Sequence, residues 1–173
     1  MPRQRSDAPA ERPEYDERAE TLLSWADLAA TAASGSIAKK FPVAYDIPPG
    51  RWHSVVTVGL VYVALSQIRL EPIPQGQKER LLNRVFASLE GWDAQANVAL
   101  EDCRSRVAHL YNAIKDRPEY RSADHLAAWD ALGMWLFTNL FGNMPETPED
   151  FSLTRALGGL LGVTFNNWWR PKT

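Results

Sequence analysis

The stretch that decides the fold is Arg51–Leu70, which reads RWHSVVTVGLVYVALSQIRL. Few polar residues interrupt it between Val55 and Leu65, so the segment must be covered on nearly every side. Its β-branched residues would suit a buried strand, but its apolar character extends from Trp52 to Ile68, which is longer than a typical strand. The rest of the chain offers no convincing partner strand. We therefore predict a buried central helix.

The same stretch has to be weighed as a membrane span. Its uninterrupted apolar core covers only about 11 residues, short of the roughly 18–20 residues that cross a bilayer, so we expect no membrane span. The N-terminal residues contain many acids and no apolar run, so we expect no secretory signal. The single cysteine, Cys103, gives no support for an oxidising compartment. A cytoplasmic location is the default expectation.

Apolar residues at spacings of three and four predict amphipathic helices on both sides of this segment. They are a first helix from Pro13 to about Gly35, a third over residues 77–90, a fourth from Asp93 to Ile114 and a sixth that begins at Thr147. A fifth helix, over residues 123–141, has apolar residues on more than one face and should be largely buried, like the central helix. Because the link between the third and fourth helices is short, we expect these two to form an antiparallel hairpin. In the sixth helix, Gly158 and Gly162 lie four residues apart, and they would let another backbone approach closely.

The fold class that follows is an all-α, single-domain bundle of about five to six helices. A chain of 173 residues fits one domain, and the sequence shows no internal repeat. Residues 1–12 carry prolines and mixed charge with hardly any apolar side chain, which predicts a flexible, disordered N-terminal tail. Residues 13–173 are predicted to form the helical domain.

Aromatic residues supply the first set of candidate contacts. The chain has seven tryptophans, and large aromatic side chains at a surface often contact a partner. One candidate is Tyr45, which lies in a proline-rich loop of about a dozen residues. The others are Trp168, Trp169 and Arg170, because one of two adjacent tryptophans should point away from the face that the other buries.

Histidines supply a second set. His53, His109 and His125 lie on three different predicted helices, so they could bind a metal only if those helices converge. The sequence has no His-x-x-x-His or Glu-x-x-His pair that would place two ligands on one helical face, and no nucleotide-binding or nucleophile motif is present. The sequence therefore predicts no cofactor and no catalytic residue, and it favours a protein that is not an enzyme.

Basic residues supply a third set. The formal net charge of -2 gives no overall attraction to phosphate. A local basic surface would form if the predicted hairpin brought together Lys78, Arg80, Arg84, Arg104 and Arg106. Acidic residues are interleaved with them, and ordinary ion-paired helix faces explain the same pattern. Contact with nucleic acid is thus an alternative that depends on this local patch.

The sequence favours a non-enzymatic helical interaction protein, such as a small subunit or adaptor in a larger assembly. Its partner would be another protein or a second copy of itself. One alternative is a helical-bundle enzyme or binding protein that uses a histidine-based metal or ligand site. A further alternative is a helical subunit that contacts nucleic acid within a complex.

Overall fold

In a computed structural model of the chain, residues 9–170 are described, and their regular secondary structure is entirely helical. The prediction of an all-α bundle of about five to six helices is confirmed, since the described residues form six α-helices. The helices are α1 (Glu14–Lys40), α2 (Pro49–Leu70), α3 (Gln75–Glu90), α4 (Ala94–Ile114), α5 (Asp124–Phe141) and α6 (Pro148–Trp169). Two short 3₁₀ helices connect them, one at Pro42–Asp46 between α1 and α2 and one at Pro118–Tyr120 between α4 and α5.

Helix α2 is the centre of the bundle, as its apolar sequence predicts. It packs against α1, α3, α4, α5 and α6, and every residue from Val56 to Val61 is buried. Gly59 allows the closest of these contacts, because a Cβ there would lie 2.8 Å from Leu161 Cδ2 and 3.0 Å from Leu136 Cδ2. The other helices therefore surround α2 and cover its apolar surface.

Within the described residues, α2 is also the one helix that is long and apolar enough to cross a membrane, as judged by length and composition. In the bundle, 56% of its most apolar 18-residue window is buried. Buried core helices meet the same criterion of length and composition. The expectation that α2 does not span a membrane stays a prediction.

Helices α5 and α6 approach each other so closely that their backbones touch. A Cβ at Gly158 would lie 2.0 Å from the carbonyl oxygen of Trp129, and a Cβ at Gly133 would lie 2.0 Å from that of Thr154. The close approach that the spacing of Gly158 and Gly162 predicts is confirmed, since the Trp129 ring covers Gly162. Only glycine fits at these contacts.

The start of α6 is fixed by a capping box, as the sequence predicts. The Thr147 hydroxyl accepts a hydrogen bond from the backbone N–H of Asp150, and the Asp150 carboxylate accepts one from the backbone N–H of Thr147. These bonds satisfy N–H groups that have no partner inside the helix.

Helix α1 is longer than predicted, because it continues through Gly35 to Lys40. A glycine in a helix costs about 1 kcal/mol relative to alanine, and that cost suggested a helix end. The five residues of α1 that follow Gly35 include Ile37 and Ala38, which are both buried in the core. Their burial offsets the cost and keeps the last turns helical.

The predicted hairpin of α3 and α4 is wrong. The two helices meet at their connecting turn, where the Asn97 side chain donates to the carbonyl oxygen of Leu89, but they do not pack along their lengths. Helix α3 packs on α1 and α2, whereas α4 packs on α5 and α2. The apolar stripes of α3 and α4 are therefore covered by other helices. The short connection between α3 and α4 did not determine which helices they pack against.

The predicted tail falls largely outside the described residues, because residues 1–8 are not among them. Its last two residues contact α3. Glu11 pairs with Arg80, and Arg12 forms two backbone hydrogen bonds with the buried side chain of Gln77, at 2.9 Å and 2.7 Å. The contacts of the bundle thus begin at Glu11, two residues before the predicted boundary.

The contact between α5 and α6 gives a testable prediction. Gly158→Ala should lower the free energy of unfolding by at least about 2 kcal/mol, because its Cβ would collide with the backbone of α5. Gly159→Ala is the matched control, since a Cβ there meets nothing within 4 Å. It should leave stability unchanged or raise it by up to about 1 kcal/mol through helix propensity. Urea denaturation measures both, and equal effects of the two variants would contradict the backbone contact.

Candidate functional site

A cavity of about 410 Å³ opens where the second half of α1, the Pro42–Asp46 helix and the start of α2 meet. We call it the α1–α2 cavity. Its lining residues are Thr31, Ser34, Gly35, Ala38, Ala44, Tyr45, Ile47, Pro49, Trp52 and His53. This mixture of apolar walls and a few polar groups is typical of a ligand site.

The segment between α1 and α2 forms one wall of the cavity because of its own sequence pattern. Phe41, Ala44 and Ile47 recur at every third position, which is one turn of a 3₁₀ helix, and all three are buried. They pin the segment to the core. Tyr45 lies between them and is 70% exposed at the edge of the cavity.

Trp52 forms an apolar wall of the cavity and also joins α2 to α1. Its ring is 5% exposed, and its Nε1–H donates a hydrogen bond of 2.8 Å to the carbonyl oxygen of Ala30. The only polar hydrogen of the indole is therefore used inside the protein. A ligand in the cavity would meet the apolar part of this ring.

His53 and Asp27 face each other across α1 and α2, and His53 Nε2 lies 2.6 Å from Asp27 Oδ1. The side chain of His53 is 39% exposed and that of Asp27 is 60% exposed, so both reach solvent beside the cavity. When Nε2–H donates to Asp27, the neutral imidazole has Nδ1 left as a hydrogen-bond acceptor. The pair thus holds the ring in one orientation.

The two hydroxyl groups from α1 in the lining are also engaged. Thr31 donates to the carbonyl oxygen of Asp27 at 3.2 Å, and Ser34 donates to that of Thr31 at 2.9 Å. Their hydrogens point into the α1 backbone, and only their oxygen lone pairs stay free for another group.

The structure thus brings together two candidates that the sequence had assigned to different roles, Tyr45 as a partner contact and His53 as a metal ligand. Sequence reasoning missed the residues that α1 contributes. One signal could have found them, because Asp27, Thr31 and Ser34 recur at spacings of four and three beside the apolar stripe of α1.

The three histidines do not converge. His109 lines a second cavity, of about 490 Å³, between α4 and α5, whereas His125 is exposed in the first turn of α5. Across residues 9–170, no three His, Cys, Asp or Glu side chains lie close enough to hold a metal ion. The geometry gives no support to the metal site that one alternative required.

The second cavity is bounded by a carboxylate whose oxygens are both engaged. Asp102 accepts hydrogen bonds from Trp135 Nε1 at 2.9 Å and from Arg106 Nε at 2.7 Å. Burial raises the pKa of Asp102, but these two hydrogen bonds outweigh burial and the pKa is lowered overall. This carboxylate joins α4 to α5, which is a structural role.

A third carboxylate joins three elements at the opposite side of α5. Asp130 is 5% exposed, accepts a hydrogen bond of 2.7 Å from the Tyr120 hydroxyl and pairs with Arg155 at 2.9 Å. The Pro118–Tyr120 helix, α5 and α6 therefore meet at one paired charge. Removing one partner would leave the buried carboxylate uncompensated, so this pairing fixes which elements are neighbours.

The five basic candidates lie at four separate places, with Lys78 beside the end of α2, and each has an acceptor. The pairs are Lys78 with the carbonyl of Arg69, Arg80 with Asp16, Arg84 with Glu20, Arg104 with Glu101, and Arg106 with Asp102. Arg80 and Arg84 face α1, Arg104 lies at the groove between α3 and α4, and Arg106 lies at the cavity between α4 and α5. They do not form one surface.

Trp169, which we expected at a partner surface, instead lies in the core. It is 0% exposed, stacks on Tyr15 with ring centroids 4.6 Å apart, and donates from Nε1 to Glu71 at 3.1 Å. The Tyr15 hydroxyl donates to the same carboxylate at 3.3 Å. Glu71 thus satisfies both polar groups, and this partner is why a tryptophan so close to the end of the chain can be buried.

Trp168 lies at the surface of the bundle and not in the core. It is half-buried and stacks on the half-buried Trp25 of α1, with ring centroids 4.2 Å apart and an interplanar angle of 11°. Arg170 ends α6 and is exposed. These two indoles form a partly exposed aromatic pair at the seam between α1 and α6.

Comparison with known proteins gives no match to a family model, to a curated protein or to a solved structure. The functional proposal therefore depends on the geometry of the α1–α2 cavity and of the surface described above.

The position of α1 on α3 gives a prediction about pH. The hydrogen bond from Arg80 lowers the pKa of Asp16, burial opposes it, and Gln77 adds to the lowering. A lowered carboxyl pKa stabilises the fold above the unfolded-state pKa of about 3.9, and this stability is lost as the pH falls through the folded-state pKa. Asp16→Asn should therefore cost about 1.5 kcal/mol at neutral pH and nearly nothing in strong acid.

Urea denaturation over a series of pH values measures this difference. Glu17→Gln is the control, because Glu17 is the next residue of α1 and is exposed. A cost of Asp16→Asn that stays constant down to the lowest pH would contradict the role of the ionised carboxylate.

Proposed function

We propose that this protein is a non-enzymatic binding protein that holds a small organic ligand in the α1–α2 cavity. The observation that carries the proposal is the convergence of Trp52, Tyr45 and His53 on one half-open cavity of about 410 Å³. Ligand pockets have volumes of roughly 300–1,000 Å³ and combine apolar walls with a few placed polar groups. The cavity lies in the lower part of this range, so it suits a small molecule.

The state of the polar groups supports binding in preference to catalysis. A nucleophilic hydroxyl needs a base that accepts its proton, but Thr31 and Ser34 donate their hydrogens to main-chain carbonyls. Asp27 orients His53 as a carboxylate orients a general base, but neither α1 hydroxyl of the lining donates to the imidazole. These residues can recognise a ligand without transferring a group to it.

Filling the cavity tests this function. Gly35 lines the cavity, and a Cβ added there meets nothing within 4 Å, so Gly35→Phe should occupy the space without disturbing α1. The wild-type protein should show binding of members of a mixture of small amines, alcohols and acids in ligand-observed NMR. We expect Gly35→Phe to lose that binding and to keep the wild-type unfolding midpoint.

Gly76→Phe is the matched control, because Gly76 is also helical and open and lies on α3, outside the cavity lining. This variant should bind as the wild type does. Binding that persists equally in both variants, or no binding by the wild-type protein, would contradict the proposed function.

A second candidate is the interaction protein that the sequence favours, a subunit or adaptor with a protein partner or a second copy of itself. The observation in its favour is the partly exposed Trp25–Trp168 pair. Exposed, rigid aromatic side chains are the residues that most often contribute strongly to protein interfaces. The partner would cover both indoles at the seam of α1 and α6.

Trp168→Ser tests the interaction candidate. It should reduce by about tenfold the recovery of a specific partner from the native cell, since a central tryptophan contributes more than about 1.4 kcal/mol at such interfaces. Val163→Ser is the control, because Val163 is on the same helix and is 59% exposed. Equal recovery with both variants, as measured by quantitative mass spectrometry, would remove this candidate.

Contact with nucleic acid has less support than either, because each of the five basic candidates already faces an acid or a main-chain carbonyl. It would require these ion pairs to be exchanged for phosphate contacts. This alternative and the cytoplasmic location stay predictions.

A further inference from the structure

The lining of the α1–α2 cavity has more free hydrogen-bond acceptors than free donors, and this difference indicates the kind of ligand that it would bind. The donors of Trp52, Thr31 and Ser34 are all consumed by main-chain carbonyls. The hydroxyl oxygens of Thr31 and Ser34 keep free lone pairs, and His53 Nδ1 is an acceptor when Nε2–H faces Asp27. The Tyr45 hydroxyl at the edge of the cavity can both donate and accept. Acceptors therefore outnumber free donors in the lining, and a ligand that brings hydrogen-bond donors suits it.

The charges around the cavity point to the same kind of ligand. None of the described lining residues is a lysine or an arginine. Three basic residues lie in the flanking segments: Lys40 lies over the Phe41 ring, Arg51 reaches the carbonyl of Leu140 at 3.5 Å, and Lys39 is exposed and outside the lining. Any positive charge on His53 is compensated by Asp27 at 2.6 Å. Among the described residues, the lining has no acidic side chain either, and the carboxylate that reaches it is Asp27, through its contact with His53. With a neutral His53, the mouth of the cavity therefore favours a positive charge over a negative one.

The aromatic residues add a third feature. Trp52 and Tyr45 both line the cavity, and the faces of tryptophan and tyrosine rings attract cations. Ile47 and Ala38 complete an apolar wall for the uncharged part of the ligand.

We infer that the ligand of the α1–α2 cavity is a small organic cation, an apolar body that carries one ammonium group. This inference rests on the proposed function. The ammonium hydrogens meet the Asp27–His53 pair and the hydroxyl oxygens, while the apolar body lies against Trp52 and Ile47. Asp27 is the residue that distinguishes a cation from a neutral molecule of the same shape.

Three probes of one shape and different charge test the inference: phenethylamine, phenethyl alcohol and phenylacetate. The readout is the NMR signal of the Trp52 indole N–H, assigned by Trp52→Phe, and the other six of the seven tryptophans serve as internal controls. Phenethylamine should shift the Trp52 signal and bind at least about fivefold more tightly than phenethyl alcohol, with phenylacetate weakest.

Asp27→Asn should remove the preference for the amine over the alcohol. Asp116→Asn is the control, because Asp116 is exposed and lies outside the cavity lining, and it should keep the wild-type preference. A third comparison, the unfolding midpoint of each variant, identifies any loss of fold.

The outcomes distinguish the inference of a cationic ligand from the proposal that the cavity binds a ligand. If the alcohol or the acid binds as tightly as the amine and shifts the Trp52 signal equally, the inference of a cationic ligand is contradicted and the proposed ligand site is supported. If none of the three probes shifts Trp52 at concentrations well above about 1 mM, the weakest affinity of interest, both the cation and the proposed function are contradicted.

Discussion

The structure depends on the need to cover α2, a helix with almost no polar face. Every residue from Val56 to Val61 is buried, and five other helices pack around this segment. Gly59 lets Leu136 and Leu161 approach from two of those helices. Helix α2 is least completely covered at its start, where the neighbouring segment Pro42–Asp46 is a short 3₁₀ helix and not a full α-helix. The α1–α2 cavity lies at this place, with Trp52 as a wall. The candidate site is thus a consequence of how the central helix is covered.

Paired carboxylates fix the surrounding helices in position. Asp16 joins α1 to α3, Asp102 joins α4 to α5, and Asp130 joins α5 to α6. Glu71, just after α2, accepts hydrogen bonds from Tyr15 of α1 and Trp169 of α6. Hydrophobic burial drives the collapse of such a bundle but has little directionality, whereas these bonds require particular neighbours. Asp27 joins α1 to α2 through His53, and both side chains reach solvent beside the α1–α2 cavity.

The sequence predicts those features that depend on local chemistry. The apolar run of α2, the capping box at Thr147 and the close approach at Gly158 each follow from a few adjacent or regularly spaced residues. Features that depend on the choice of a distant neighbour were not predicted. The prediction of a hairpin of α3 and α4 was wrong because the apolar stripe of each helix packs on other helices. Trp169 is buried because Glu71, 98 residues away in the sequence, accepts the hydrogen bond of its indole N–H. For the site, Tyr45 and His53 stood out as residue types, but their convergence with Asp27 required the packing of α1 on α2.

Hydrogen–deuterium exchange of the ligand-free protein measures whether α2 is the buried centre on which the cavity is built. Amides deep in a core exchange only when the whole protein unfolds, and amides of short surface segments exchange through local opening. We expect the amides of residues 56–65 to be among the slowest in the chain to exchange, and those of the Pro42–Asp46 wall to exchange much faster. Exchange of α2 as rapid as that of the Pro42–Asp46 segment would contradict this position of α2.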